Sequence, residues 1–119
     1  MAQIRSYRDL EVWQRSMEVV VNVYQLTKTF PQSEIYGLTN QIRRSSVSIP
    51  SNIAEGHVRP TKDYARFLKI AMGSVAELET QIEIANRVGY LEHEDFNLII
   101  NELSVIGKKL NTLIGRLRN

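Results

Sequence analysis

The stretch EHEDFNLIINELSVIGKKLNTLIGRL, residues 92–117, places Phe96, Ile99, Leu103, Ile106, Leu110, Leu113 and Leu117 three and four positions apart. Side chains at that spacing stack along one face of an α-helix, and Glu92, Glu94 and Asp95 sit where the positive end of the helix dipole favours acids. A helix with one apolar stripe gains its stability by burying that stripe, so the rest of the chain must supply the cover.

Upstream, Tyr64, Phe67, Ala71, Val75, Leu78, Ile82 and Ala85 repeat the alternation, with Thr61 as an N-cap, Asp63 in the first turn and Gly89 as a left-handed stop. Before that come Ile35, Leu38, Ile42, Ile49 and Ile53, with Ser33 as the cap and Gly56 near the stop. Within this segment Ser45, Ser46 and Ser48 are poor helix formers, and Pro50 withdraws the amide that would bond the carbonyl of Ser46; one bent helix is predicted. The first segment carries Leu10, Trp13, Met17, Val20 and Tyr24 at core spacing and stops before Pro31. Four helices, about 8–30, 33–56, 61–88 and 92–117, joined by short loops, predict a single all-α domain over residues 1–119, an antiparallel up-down-up-down four-helix bundle.

The first helix has apolar side chains to spare. A second stripe, Val12, Val19, Val23 and Leu26, makes its apolar sector wider than a bundle helix exposed on one side requires; these residues are candidates for contact with another subunit, the alternative being that the extra valines cover a broad groove in their own bundle. Gly73, in the middle of the third helix, costs about 1 kcal/mol relative to alanine unless close packing requires it, and Gly73 and Gly56 are therefore read as close-packing positions.

Composition narrows the function. With 119 residues, 43% hydrophobic and 24% charged, the chain has the make-up of a globular domain that folds in water. No run approaches the roughly 20 apolar residues of a membrane span, and residues 1–8 carry no apolar leader core, so the expected location is the cytoplasm. The absence of cysteine excludes disulfides, thiolate zinc sites and a thiol nucleophile. No Glu-x-x-His metal motif, phosphate-binding glycine loop, nucleophile elbow or dinucleotide fingerprint occurs. The two histidines, His57 and His93, fall in a loop and at a helix start, and the reading is a protein without cofactor, metal, small-molecule substrate or enzymatic activity.

Two polar stripes stand apart from the apolar ones. Gln41, Arg44, Ser48, Asn52 and Glu55 share one face of the second helix, and Ser74, Glu77 and Gln81 share one of the third. If those faces meet, Arg44 and Glu77 are natural partners, and a largely buried polar network of Gln41, Arg44, Ser48, Asn52, Glu55, Ser74 and Glu77 is expected. The alternative is two solvated faces.

Fifteen basic against thirteen acidic residues leave a net charge of only +2, so any nucleic-acid contact must come from local clusters. Two are present: Arg43 beside Arg44, and Lys108, Lys109, Arg116 and Arg118 near the C-terminus. Cations in the last turns of a helix also complement its dipole, but multiplied around an oligomer such patches gain phosphate affinity. Aromatic residues are sparse in sequence near them, which points to backbone and shape recognition.

Taken together, Tyr7-Arg8-Asp9-Leu10-Glu11-Val12-Trp13, Gln41-Ile42-Arg43-Arg44-Ser45, Ser48-Ile49-Pro50-Ser51-Asn52-Ile53-Ala54-Glu55-Gly56 and Gly73-Ser74-Val75-Ala76-Glu77 resemble the 23S rRNA intervening-sequence protein family from about residue 7 to residue 117. The resemblance implies a ribosomal-protein-like four-helix bundle that assembles into a homopentamer, a bacterial origin and a link to RNA. The family's motif positions fall on Arg44, Asn52, Glu55, Gly56, Ser74 and Glu77, read first as packing and assembly residues. A more distant similarity, to the basic pentameric accessory protein of diversity-generating retroelements, implies a partner that is itself bound to nucleic acid. The expected function is a homo-oligomeric RNA-associated scaffold; the alternative is a protein interaction module that does not touch nucleic acid.

Overall fold

Four α-helices make up most of residues 4–117, the part of the chain that the computed structural model describes. They are α1 (Glu11–Thr27), α2 (Leu38–His57), α3 (Thr61–Arg87) and α4 (His93–Leu117). Each packs on two neighbours, α1 on α2, α2 on α3, α3 on α4 and α4 back on α1, while the diagonal pairs do not meet. Cross-helix contacts run antiparallel throughout: Thr27 with Arg43, Ser48 with Ser74 and Arg15 with Glu102. The bundle is elongated, 45 × 26 × 20 Å. Among the described residues no helix is long and apolar enough to cross a membrane.

The expected helix starts shift for local reasons. Ser6 and Asp9 form a capping box around a short 3-10 turn, Tyr7–Asp9, so α1 begins at Glu11; it closes at Thr27, short of Phe30. Ser33 is not a cap. It lies in a second 3-10 turn, Gln32–Glu34, and α2 starts after Gly37, where the Glu34 carboxylate accepts the Leu38 N–H at 3.2 Å. The other oxygen of Glu34 accepts the Tyr90 hydroxyl at 2.9 Å, tying this corner to the α3–α4 turn. Thr61 opens α3 as its first residue with Pro60 in the cap position, as suits a proline's fixed φ. At the far end of α3, Gly89 takes φ +86°, and Tyr90 and Gly89 N–H bond the Ala85 and Asn86 carbonyls in the paired pattern of a glycine stop. Pro50 is accommodated inside one continuous α2.

The core is built from Ile42, Ile49 and Ile53 of α2, Leu68, Ala71, Leu78 and Ile82 of α3, and Leu103, Ile106 and Leu110 of α4, all almost fully buried. From α1 it receives Val12, Val19 and Val23, with Leu26 packed against them at its edge, so these side chains serve their own subunit and not a neighbouring one. The stripe expected to meet another subunit is thus the more deeply buried one. The face turned inward also carries Ser16 and Thr27, whose hydroxyls donate to the Val12 and Val23 carbonyls at 2.7 Å and are thereby buried without an unmet hydrogen bond. The bulkier stripe lies at the rim of the core, with Leu10 and Trp13 half-buried against it and Met17 and Tyr24 about two-fifths exposed.

The two glycines read as close-packing sites also part company. A Cβ at Gly56 would lie 2.6 Å from the Cβ of Phe67 and 3.1 Å from the ring of Tyr64, so α2 and α3 touch there. At Gly73 a Cβ meets nothing within 4 Å, and close packing inside the subunit is not its reason. Gly73→Ala is accordingly expected to raise stability by about 1 kcal/mol in urea unfolding, the full helix-propensity gain.

Candidate nucleic-acid interface

Charged side chains bridge the surface of the α1–α4 seam. Arg15, one turn into α1, directs its guanidinium Nη1 at both oxygens of Glu102 on α4, 2.9 and 3.2 Å away, and its Nε lies 3.7 Å from Glu11. Glu11 in turn is in direct contact with the Lys109 ammonium. The result is an alternating row, Lys109, Glu11, Arg15, Glu102, across the two helices. The Lys109 hydrogen bond and charge hold the Glu11 carboxyl below its ordinary pKa, and the Glu102 hydrogen bond and charge raise that of Arg15.

Beside this row runs a groove of about 330 Å³ between the start of α1 and the last turns of α4. Leu10, Val12 and Leu113 give it an apolar floor, and Lys108, Lys109 and Arg116 line its α4 wall opposite Glu11. The structure thus gathers three of the expected basic residues, with Lys108 and Arg116 exposed. Arg118 lies outside the described residues. Arg43 is not part of this group. It sits on α2 near the opposite end of α1, its Nε donating to the Thr27 hydroxyl at 2.9 Å and its guanidinium lying 4.8 Å from the centre of the Tyr24 ring.

Arg43 belongs to a different surface, the α1–α2 face. One groove there, of about 380 Å³, is walled by Trp13, Met17, Val20, Val47, Pro50 and Ala54. A second, lined by Tyr24, Asn40, Arg43, Arg44, Val47 and Ser48, shares Val47 with it. Neither lining contains a carboxylate, and Arg8 lies over both Tyr7 and Trp13 at 5.6 Å from each ring centre. Aromatics sparse near the arginines in sequence are thus adjacent to them in space.

The polar network is smaller than expected. The Ser48 and Ser74 hydroxyls hydrogen-bond at 2.8 Å, and the Asn52 amide donates to the Ser48 carbonyl and hydroxyl at 2.8 and 2.9 Å. Gln41, Arg44, Glu55 and Glu77 are exposed, and Arg44 forms no ion pair with Glu77 or any other described residue. Glu55 pairs with Arg59 one turn along, at 2.6 Å. The α2–α3 seam is narrow where Ser48 meets Ser74 and Gly56 meets Phe67, so long charged side chains turn outward to water, where their hydration is kept.

His57 stands edge-on to Tyr64 at 5.4 Å, and His93 stacks on Phe96 at 5.9 Å. No group of three or more His, Asp or Glu side chains placed to hold a metal ion occurs among the described residues. Sequence reading missed Glu11, Arg15 and Glu102; the four-residue spacing of Glu11 and Arg15 was the available signal, and the partner helix was not.

The model of a family described as 23S rRNA-intervening sequence protein matches residues 8–112. A crystal structure of a Bacteroides thetaiotaomicron protein of unknown function, assigned to the S23 ribosomal protein family, is 30% identical and superposes with a TM-score of 0.80, over 87% of this chain and 97% of that one. Among curated proteins none matches.

Proposed function

This chain belongs to the 23S rRNA-intervening sequence protein family, and on that premise we propose that it is a non-enzymatic, homo-oligomeric scaffold of the cytoplasm that associates with RNA through the α1–α4 groove. The observation that carries the reading is the convergence of Lys108, Lys109 and Arg116 on one groove. Clustered cations on one helix can meet a phosphate backbone, and each phosphate they neutralise releases counterions. The assembly, pentameric by family resemblance, repeats the cluster in every subunit and multiplies its effect. Self-association uses the α1–α2 face: Met17, Tyr24 and Val47 stay exposed on the isolated subunit, and the arginines around them have no carboxylate beside them.

Combined charge reversal, Lys108→Glu, Lys109→Glu and Arg116→Glu, is expected to weaken binding of a structured RNA at about 50 mM salt by roughly 100-fold and to flatten the salt dependence. Filter retention or anisotropy measures it, and unchanged binding removes the groove from the RNA interface. A protein interaction module without nucleic-acid contact is the second reading, favoured by the exposed apolar α1–α2 face itself. Capture of a defined protein partner that survives nuclease treatment selects it.

A further inference from the structure

Glu11 is out of place in a groove for a polyanion. It lines the groove opposite Lys108 and Arg116, its side chain is 57% exposed, and it contacts Lys109 on one side and lies 3.7 Å from Arg15 on the other. A carboxylate between an ammonium and a guanidinium occupies the position that the non-bridging oxygens of a phosphodiester take between the same two cations. Exposed ion pairs are weak and readily exchanged, so a phosphate can displace it. The first turn of α1, to which Leu10 gives no side-chain cap, adds the positive end of its helix dipole to the attraction.

We propose that Glu11 is an internal stand-in for a nucleic-acid phosphate, and that when RNA displaces it Arg15 joins Lys108, Lys109 and Arg116 as a fourth binding residue. This rests on the groove being the RNA site. Arg15 is suited to the exchange because its second partner, Glu102, keeps the guanidinium in place when Glu11 swings away. The consequence is a site whose free form carries less positive potential than its cation count suggests, which disfavours isolated small anions and favours a chain of phosphates that replaces Glu11 while engaging the other cations.

The test compares Glu11→Gln with the wild type by anisotropy of a fluorescent 20-nucleotide RNA across a salt series. Glu94→Gln serves as control, because it removes the same charge from the other end of α4. Glu11→Gln is expected to tighten binding by about three- to fivefold at moderate salt, with log K against log salt steeper by about one phosphate, and Arg15→Gln in that background is expected to cancel the gain. Tightening by Glu11→Gln when the wild type itself binds weakly also supports the proposal. Equal tightening by Glu94→Gln, or none by Glu11→Gln in a protein whose RNA binding is lost on reversal of Lys108, Lys109 and Arg116, overturns it. Binding by neither wild type nor Glu11→Gln sinks the groove reading together with the inference. Polyglutamate of matched charge competing as well as RNA reassigns the groove to acidic protein and overturns the phosphate assignment.

Discussion

Gly56→Ala is expected to lower the melting temperature by about 8 °C, equivalent to roughly 2 kcal/mol in a domain of this size. A helical glycine replaced by alanine ordinarily stabilises by about 1 kcal/mol, so the loss must exceed that gain. It does because the new methyl would stand 2.6 Å from the Phe67 Cβ, an atom fixed to the α3 backbone that no rotamer change can move aside. Relief requires α2 and α3 to separate, which loosens the seam where Ile53, Tyr64 and Leu68 are buried and breaks close packing on both sides of it. Thermal unfolding followed by circular dichroism measures the shift, with Gly73→Ala as the paired control of opposite sign. A melting temperature that rises for both variants shows that the α2–α3 contact yields at little cost.

Val47→Glu is expected to abolish the proposed self-association, leaving the 13.7 kDa subunit with its helicity intact. Val47 is 39% exposed on the isolated subunit, so the substitution has little to disturb inside it. In an assembly covering the α1–α2 face it lies at the junction of the two grooves, where a glutamate both loses hydration and cancels the positive field of Arg43 and Arg44. Taking that carboxylate out of water costs about 3 kcal/mol or more even with the two arginines beside it, a dissociation constant weaker by over 100-fold. Light scattering coupled to size exclusion at micromolar concentration distinguishes the outcomes. A wild type already at 13.7 kDa, or a variant still assembled, removes the α1–α2 face from the subunit interface.

The bundle was legible because its signal is redundant. Every inward position of α4 from Ile99 to Leu110 repeats the same three-four rhythm, and a misread residue does not change the outcome. Helix starts were less legible because they are set by contacts between elements or by turns, as where Glu34 caps α2 and is itself held by Tyr90, 56 positions away. The α1 stripes were misranked because periodicity fixes the angle between apolar rows but not which row faces inward. Bulk favoured Trp13 and Met17, whereas the protein buries most deeply the smaller row, whose Ser16 and Thr27 satisfy themselves on their own helix, and keeps Trp13 half-buried at the rim. On the polar stripes the short members, Ser48, Asn52 and Ser74, were found, and the long ones were misplaced for want of the interhelical distance. The Lys108, Lys109 and Arg116 cluster could be read directly, since it lies on one helix.

Of the four helices, α1 has the lightest grip on the bundle. Its inward row is made of valines, a serine and a threonine, and its approach to α4 is the sparsest among the helix pairs and is bridged by surface ion pairs. Transient opening therefore begins there, with α2, α3 and α4 persisting as a three-helix unit while α1 lifts and returns. A ligand that spans the seam binds only the closed form, so it slows this breathing and firms the subunit's edge, and the same clamp carries over to the neighbouring α1–α2 face because one helix forms a wall of both.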